Sequence, residues 1–297
     1  MKIAIATAAA VAAVTVAGAA PALAQAGPEV EIRYAVARVA VVVEDRRDIA
    51  VEVQQGASGL PPIRVSREGD DVRIDGGLRR RGLFGRNVSM RGCRSGPDSA
   101  QPGEGASVEV RGHGRINLSE APLIVIRTPR EVNVDASGAV YGSVGRGAAS
   151  VDLGSGGCGD WNIANTDGPV TLSIAGSGDM RAGTSRALDA EIAGSGSITA
   201  GATRELDVSI AGSGDFILAR VDGPADVSIA GSGDVVIRAG TAPRLDVSIA
   251  GAGNVQFDGV AGDVDVSIAG AGDVSVAQAT GTVSRSIVGA GNIRIGN

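Results

Sequence analysis

The sequence predicts an all-β chain, a parallel β-helix with coils of about 19 residues, preceded by an irregular N-terminal β capping region. Three observations predict it. The first is a repeat: Ser-Ile-Ala-Gly-Ser-Gly-Asp or a close variant recurs through the second half. Indexed on its isoleucine, the repeat falls at Ile174, Ile192, Ile210, Ile229, Ile249, Ile268 and Ile287, at spacings of 18, 18, 19, 20, 19 and 19 residues. A period in that range is the mark of a solenoid. The second is alternation of apolar and polar residues on either side of each isoleucine, as a strand with one buried face requires. The third is composition. Glycine accounts for 46 of 297 residues and aromatic residues for only 2%, which suits narrow, glycine-turned rungs better than an aromatic-packed globule.

Taken in order, the chain opens with Met1, Lys2 and an alanine-rich apolar run to Ala20, then Pro21-Ala22-Leu23-Ala24. That is the pattern of a secretory signal with an Ala-x-Ala site, so residues 1–24 are expected to be removed. A transmembrane anchor fits less well, because no charged stop follows, and no cysteine stands near the cut to carry a lipid. The mature chain is therefore expected outside the cytoplasm: periplasmic, cell-surface or extracellular. Lys2 is the only lysine, so its loss takes the formal net charge from -6 to about -7. This mild acidity gives no support for a nucleic-acid partner.

Residues 25–131 read as the capping region. Val39, Val41 and Val43 lead to the charged turn Glu44-Asp45-Arg46-Arg47-Asp48, followed by Ile49, Val51 and Val53. Further strands are expected at Ile63/Val65, Val72/Ile74, Val108/Val110, Ile116/Leu118 and Leu123/Val125, with Pro61, Pro62, Pro122 and Pro129 marking breaks. These are read as distorted first coils of the same solenoid, in preference to a separate β-sandwich. Within them, residues 76–107 form the one long stretch without a pattern, and such loops are functional or disordered. Arg79, Arg80, Arg81, Arg86, Arg91 and Arg94 fall here with no acid among them. They offer a patch for anionic glycans or lipid head groups, against the plainer reading of a solvated loop. Cys93 and Cys158 are the only cysteines. In an oxidising compartment an isolated pair points to a disulfide, since a metal site would want more ligands; the bridge would pin the arginine loop to an early coil.

The repeats occupy residues 132–297. Val132 to Gly138 is a degenerate rung, Val151 to Gly156 continues the period, and about nine coils are recognisable. Four residues before the isoleucines stand Val170, Leu188, Leu206, Ala225, Leu245, Val264 and Val283. Two before stand Leu172, Ala190, Val208, Val227, Val247 and Val266, broken by Arg285. Each coil is strand, glycine turn, strand, return. The turn glycines are Gly176 and Gly178, Gly212 and Gly214, Gly231 and Gly233, Gly251 and Gly253, Gly270 and Gly272, and Gly289 and Gly291. Glycine reaches positive φ and lets stacked backbones approach without a Cβ between them. A phosphate cradle is the competing reading, but nucleotide-binding glycine loops open a helix and here a strand follows in every copy.

Two outer columns carry potential chemistry. Asp189, Asp207, Asp226, Asp246 and Asp265 stand three residues before successive isoleucines, and Asp179, Ser197, Asp215, Asp234, Asn254, Asp273 and Asn292 follow the turns. Carboxylates stacked about 4.8 Å apart repel by roughly 1 kcal/mol even in water, so something must offset them. Calcium is one candidate, because it prefers oxygen ligands; the first column is its expected site. The alternative is exposed residues screened by salt and by Arg186, Arg204 and Arg244. The match to the calcium-binding nonapeptide repeat is partial, since here the aspartate follows its glycine directly and the period is about double.

No enzyme reading is supported. Catalysis needs a constellation that occurs once, whereas these columns recur. An acyltransferase with 18-residue coils would want a catalytic histidine, and the only one, His113, lies in the Gly112-His113-Gly114 turn outside the repeats. An acid and arginine pair on an outer face, as in polysaccharide-cleaving β-helices, would have to come from the Asp column with Arg204. Trp161 and Tyr141 are read as packing or cap residues before sugar platforms.

The repeated Ser-Ile-Ala-Gly-Ser-Gly-Asp at Ser173, Ser209 and Ser228, with variants beginning at Glu191, Ser248, Ser267 and Ser286, resembles the autotransporter adhesin head GIN domain family. The segment from Val36 to Val134 is similar to that family's N-terminal part. The resemblance implies a parallel β-helix with Gly-Ser-Gly as the tight turn between two sheets, a role in adhesion, and no catalytic residues to transfer. The arginine loop and the two cysteines have no place in the family pattern. The functional expectation is an exported, non-enzymatic module that engages an envelope or surface glycan or protein, with no catalytic residue and no resident cofactor. The alternative is a calcium-dependent glycan-binding or carbohydrate-active protein using the Asp face. The last rung, Ser286 to Ile295, exposes strand edges, so a homo-oligomer joined there is also expected.

Overall fold

The computed structural model describes residues 27–78, 90–97 and 101–296. The expected signal peptide, and with it Arg79, Arg80, Arg81 and Arg86, lies outside the described residues. All regular structure among the described residues is strand. Parallel strands stack in register about 19 residues apart, and about nine coils follow one another.

One sheet is built from Pro169–Gly176, Ala187–Gly194, Leu206–Gly212, Ala225–Gly231 and their successors, pairing Ile174, Ile192, Ile210, Ile229, Ile249, Ile268 and Ile287 in a single column. After the glycine turn a second sheet stacks Met180, Ile198, Phe216, Val235, Val255 and Val274. A third, short ladder closes the coil, pairing Thr203 with Val221 and Val221 with Gly240. The alternation in the sequence becomes alternation of burial: along Leu206–Gly212 every second residue is buried, because successive side chains of a strand point to opposite faces. Where the isoleucine column shrinks to Ser155 and Ala136, the facing sheet supplies Trp161, fully buried, with its indole laid over Gly142; a Cβ there would sit 2.3 Å from the ring. Volume lost on one wall is restored from the other, as a close-packed interior demands.

The two glycines of each turn differ in backbone conformation. Gly212 has φ +139° and Gly231 +147°, a region that L side chains avoid. Gly214 has no such φ; there a Cβ would fall 2.2 Å from the Gly196 carbonyl oxygen. Backbone contact between coils therefore excludes a side chain at both glycines, and positive φ is a second reason at the first.

At the other end the strand Val30–Val43 is itself a coil. Val30 to Ile32 pair with Val134 to Ala136, and Ala35 to Val41 pair with Gly138 to Val144. Its opposite edge pairs in parallel with Asp71–Asp75 and Leu123–Thr128. Those two then pair antiparallel with Arg64–Glu68 and Ala50–Gln54, which ends the parallel stack. In Leu123–Thr128 the fully buried side chains are Ile124 and Ile126, one residue out of phase with the Leu123/Val125 face expected from the sequence. Both faces of that strand are at least half covered, so alternation could not choose between them.

The described residues between 76 and 122 leave the solenoid and return. Inside them Met90–Arg94, Ser107–Val110 and Gly114–Asn117 form a three-stranded antiparallel sheet. The Val108/Val110 and Ile116/Leu118 strands thus belong to this outlying sheet and not to solenoid coils, and the stretch expected to lack pattern contains a strand of its own. Its apolar face, with Val108, Val110, Ile116 and Leu118, packs on Val36, Ala139 and Tyr141, which point outward from the first coils.

Candidate functional site

The outlying sheet does not cover the first coils completely, and a cleft of about 590 Å³ remains between them. Its position begins with a bulge. Val30 and Ile32 are buried, then Ala35, Ala37, Val39 and Val41, so the inward face changes parity and the register shifts between Ile32 and Ala35. The extra residue bends the strand, and Tyr34 takes φ 50°, unusual for a residue with a side chain. Its ring is turned outward to line the cleft. Gly76 and Leu78 cross over this corner: Gly76 N donates to Arg33 O at 2.9 Å and Leu78 N to Tyr34 O at 3.3 Å. A Cβ on Gly76 would sit 2.4 Å from the Tyr34 carbonyl oxygen.

Leu78 and Met90 form walls, and the Cys93–Cys158 disulfide, with a Cα–Cα distance of 6.2 Å, ties wall to solenoid. The expected bridge is therefore present. The floor is made of the turns Gly138, Gly156 and Gly157, flanked by Ser137 and Ser177, so backbone and not side chain faces the opening. Ser137 Oγ donates to Ile32 O at 3.3 Å. Arg91 lines the rim and is 69% exposed; its Nη2 lies 3.5 Å from Glu109 Oε1. Arg94 is exposed in the same strand. The arginine patch of the sequence thus has two described members, one facing an acid that the linear sequence places 18 residues away.

Neither Tyr34 nor Met90 was among the site residues expected from the sequence. A signal for Tyr34 existed, because the parity change between Ile32 and Ala35 is legible as a bulge. Met90 carried none, since its strand pairs only through long-range contacts.

The outer columns separate. Oδ1 of Asp215 accepts from Asp234 N at 3.1 Å, Asp234 from Asn254 N at 3.0 Å, and Asn254 from Asp273 N at 3.1 Å. Asp160 opens this ladder by accepting from Asp179 N at 3.1 Å, a member the sequence reading missed although Gly159-Asp160 matches Gly178-Asp179. Backbone amides offset the stacked carboxylates here, and Ser197, Asn254 and Asn292 interrupt them. Asp160 is buried, which raises its pKa, partly offset by hydrogen bonds from Ser95 and from the Asp179 backbone.

The first column is stacked in register from Asp189 to Asp265 without such bonds. Burial and neighbouring carboxylates raise the pKa values of Asp189 and Asp226, and Arg244 pairs with Asp246. Among the described residues no group of three or more His, Cys, Asp and Glu side chains is arranged to hold a metal ion, so the calcium reading of Asp189, Asp207, Asp226, Asp246 and Asp265 gains no support. His113 is an exposed turn residue, its N bonded to Val110 O at 3.0 Å. Trp161 and Tyr141 are buried packing residues, and burial, then Asp160 and Asp179, raises the Tyr141 pKa. In the rung Val283–Gly289, Val283, Ile287 and Val288 are 39%, 42% and 73% exposed, and Arg285 occupies the position paired with Val266. No helix among the described residues is long and apolar enough to cross a membrane.

The coils carry the repeat that decides the family comparison. Residues 199–297 match the family "Putative auto-transporter adhesin, head GIN domain". The matched coils are the regular ones, and the cleft lies outside them. No curated protein matches the chain. Among solved structures the chain is similar to a crystal structure of a "Putative lipid binding protein" from Parabacteroides distasonis ATCC 8503, with 17% identity and a TM-score of 0.53 over 91% of this chain and 93% of that one. At that identity the likeness extends to the fold.

Proposed function

We propose that the chain is an exported, non-enzymatic binding module of the adhesin kind that engages envelope or surface material at its N-terminal end. One observation carries this reading. The first sheet of the regular coils repeats one outer pattern, with Asp and Ser at 207/209, 226/228, 246/248 and 265/267, whereas side chains without a counterpart in those coils, Tyr34, Leu78, Met90, Arg91 and the disulfide, converge on one cleft. The match of residues 199–297 to an adhesin family supports the adhesin-like character, and the apolar leader at 1–24 supports export.

The test is binding of the purified, oxidised protein to isolated cell envelopes. Binding is expected to fall for Tyr34→Gly and Arg91→Ser, to persist for the double variant Asp226→Asn/Asp246→Asn, and to ignore chelator. Calcium-dependent binding lost in the double variant, or release of soluble sugar, would transfer the function to the Asp column and overturn this reading. Self-association through Val283–Gly289 is a separate part of the proposal, supported by the exposure of Ile287 and Val288. A strictly monomeric species in light scattering at high concentration would remove it.

A further inference from the structure

The cleft is uneven in chemistry, and the unevenness specifies a class of ligand. Its walls are the ring of Tyr34, the apolar side chains of Leu78 and Met90, and the disulfide. Its floor of turn glycines lacks side chains, so an unbranched chain can lie directly on the backbone. No carboxylate stands among the described lining residues, although acids outnumber bases 33 to 27 in the chain as a whole. Among the described residues the one charged side chain of the lining is Arg91. Among the described residues Arg91 is held only by a long, exposed contact to Glu109, a type of pair that contributes little and yields readily to another anion. A volume of about 590 Å³ lies inside the range of small-molecule sites, about 300–1,000 Å³. A sugar would call for many convergent side-chain donors and acceptors; among the described residues the polar side chains of the lining are Tyr34, Arg91, Ser137 and Ser177, and Ser137 is already bonded to the Ile32 carbonyl.

We propose that this cleft binds a single acyl chain bearing an anionic head, with Tyr34, Leu78 and Met90 against the chain and Arg91 at the head. The proposal rests on the reading that the cleft is the binding site. The shared chemistry, acyl chain plus anion, occurs in free fatty acids and in anionic phospholipids, and the arms of the experiment separate them.

Calorimetry of the oxidised protein with monomeric oleate, below its micellar concentration, is expected to show one saturable site that inorganic phosphate does not compete for. Met90→Asp, which puts a charge on the apolar wall, is expected to weaken oleate by about tenfold or more. Tyr34→Gly, at a φ glycine adopts freely, does the same without that charge and serves if Met90→Asp does not fold. Arg91→Ser is expected to weaken oleate several-fold and oleyl alcohol hardly at all. Flotation with phosphatidylglycerol vesicles beyond that with phosphatidylcholine, added to oleate binding, would extend the ligand to phospholipid. Absence of oleate binding overturns the proposal, as does equal affinity in folded Met90→Asp or Tyr34→Gly, displacement by inorganic phosphate, or binding to vesicles without oleate. If cleft variants lose envelope binding while the protein ignores oleate, this inference fails and the functional reading stands. If oleate binds while envelope binding is indifferent to the cleft, the reverse holds.

Discussion

The first-sheet strands between Val170 and Ile268 can be laid on one another residue by residue, and each inward apolar position finds an apolar partner one coil away. The coil made by Val30–Val43 cannot be so superposed. It carries a bulge at Tyr34, pairs with two strands from distant parts of the sequence, and has a small antiparallel sheet on its outer face. Repetition gives the regular coils a shared core and, on the first sheet, a recurring outer pattern of Asp and Ser. Interruption gives the first coil a cleft. The irregular end is thus where chemistry can be specific, and the regular coils are the rod that carries it.

The largest expected effect tests how far the regular coils depend on close stacking. Gly212→Val places a side chain at φ +139° with its Cβ 2.2 Å from the Gly194 carbonyl oxygen. It is expected to lower stability by about 4–5 kcal/mol, read as insolubility or as a large drop in urea midpoint; a near-native midpoint would show that the coils can slide apart. Next is the bridge across the boundary between the regions. Replacing both Cys93 and Cys158 by serine opens a loop of 65 residues, worth about 4 kcal/mol in the chain-entropy model. Amide exchange should lose protection in Ser107–Val110 and Gly114–Asn117 and keep it in Leu206–Gly212. Equal loss in both would mean the two regions unfold as one unit.

A smaller effect distinguishes the two acidic columns. Asp234→Ala removes the acceptor for Asn254 N and is expected to cost about 1 kcal/mol. Asp226→Asn removes a repelling charge from an in-register column and is expected to raise stability by about 0.2–0.5 kcal/mol. Thermal unfolding of the two variants reads the opposite signs; the same sign in both would merge the columns into one kind of feature.

The smallest effect is pH dependence. Burial raises the pKa values of Glu29, Asp135, Asp152, Asp189 and Asp226, aided at Glu29, Asp135, Asp189 and Asp226 by neighbouring carboxylates. A carboxyl raised in the folded state binds its proton more tightly there than when unfolded, so the penalty of its charge is present at neutral pH. That penalty is relieved as pH falls through the folded value. Tm is therefore expected to rise modestly between about pH 6 and pH 4. At lower pH it should fall, as Asp222 and Asp263, whose pKa values are lowered by hydrogen bonds from Arg220 and Thr282, lose their charge. A Tm that declines steadily from pH 6 would show that paired carboxylates outweigh the stacked ones.

The regular coils were legible because each repeats a short pattern with local causes. Alternation in Leu206 to Ile210 names the buried face, and Gly231 and Gly233 name the turn. The amide ladder was only half legible: Asp215 and Asp234 could be listed in sequence, but what offsets their repulsion is the backbone of the next coil. The irregular end was harder. Leu123–Thr128 is covered on both faces, so its phase could not be read. Met90–Arg94 becomes a strand only because Ser107–Val110 lies beside it.

The sequence by itself determined the coil period, the inward residues from Val170 to Ile268, the turns and the pairing of Cys93 with Cys158, because those depend on side-chain parity, on glycine's missing Cβ and on there being just two thiols. Only the tertiary structure decided that Val30–Val43 bulges at Tyr34 and that the sheet of Met90–Arg94, Ser107–Val110 and Gly114–Asn117 packs over the first coils. It alone brought Tyr34, Leu78, Met90 and Arg91 to one cleft. The reason is that a repeat carries its partner's position within itself, one period away, whereas residues brought together from 34, 78, 91 and 158 meet only after the loops between them have closed.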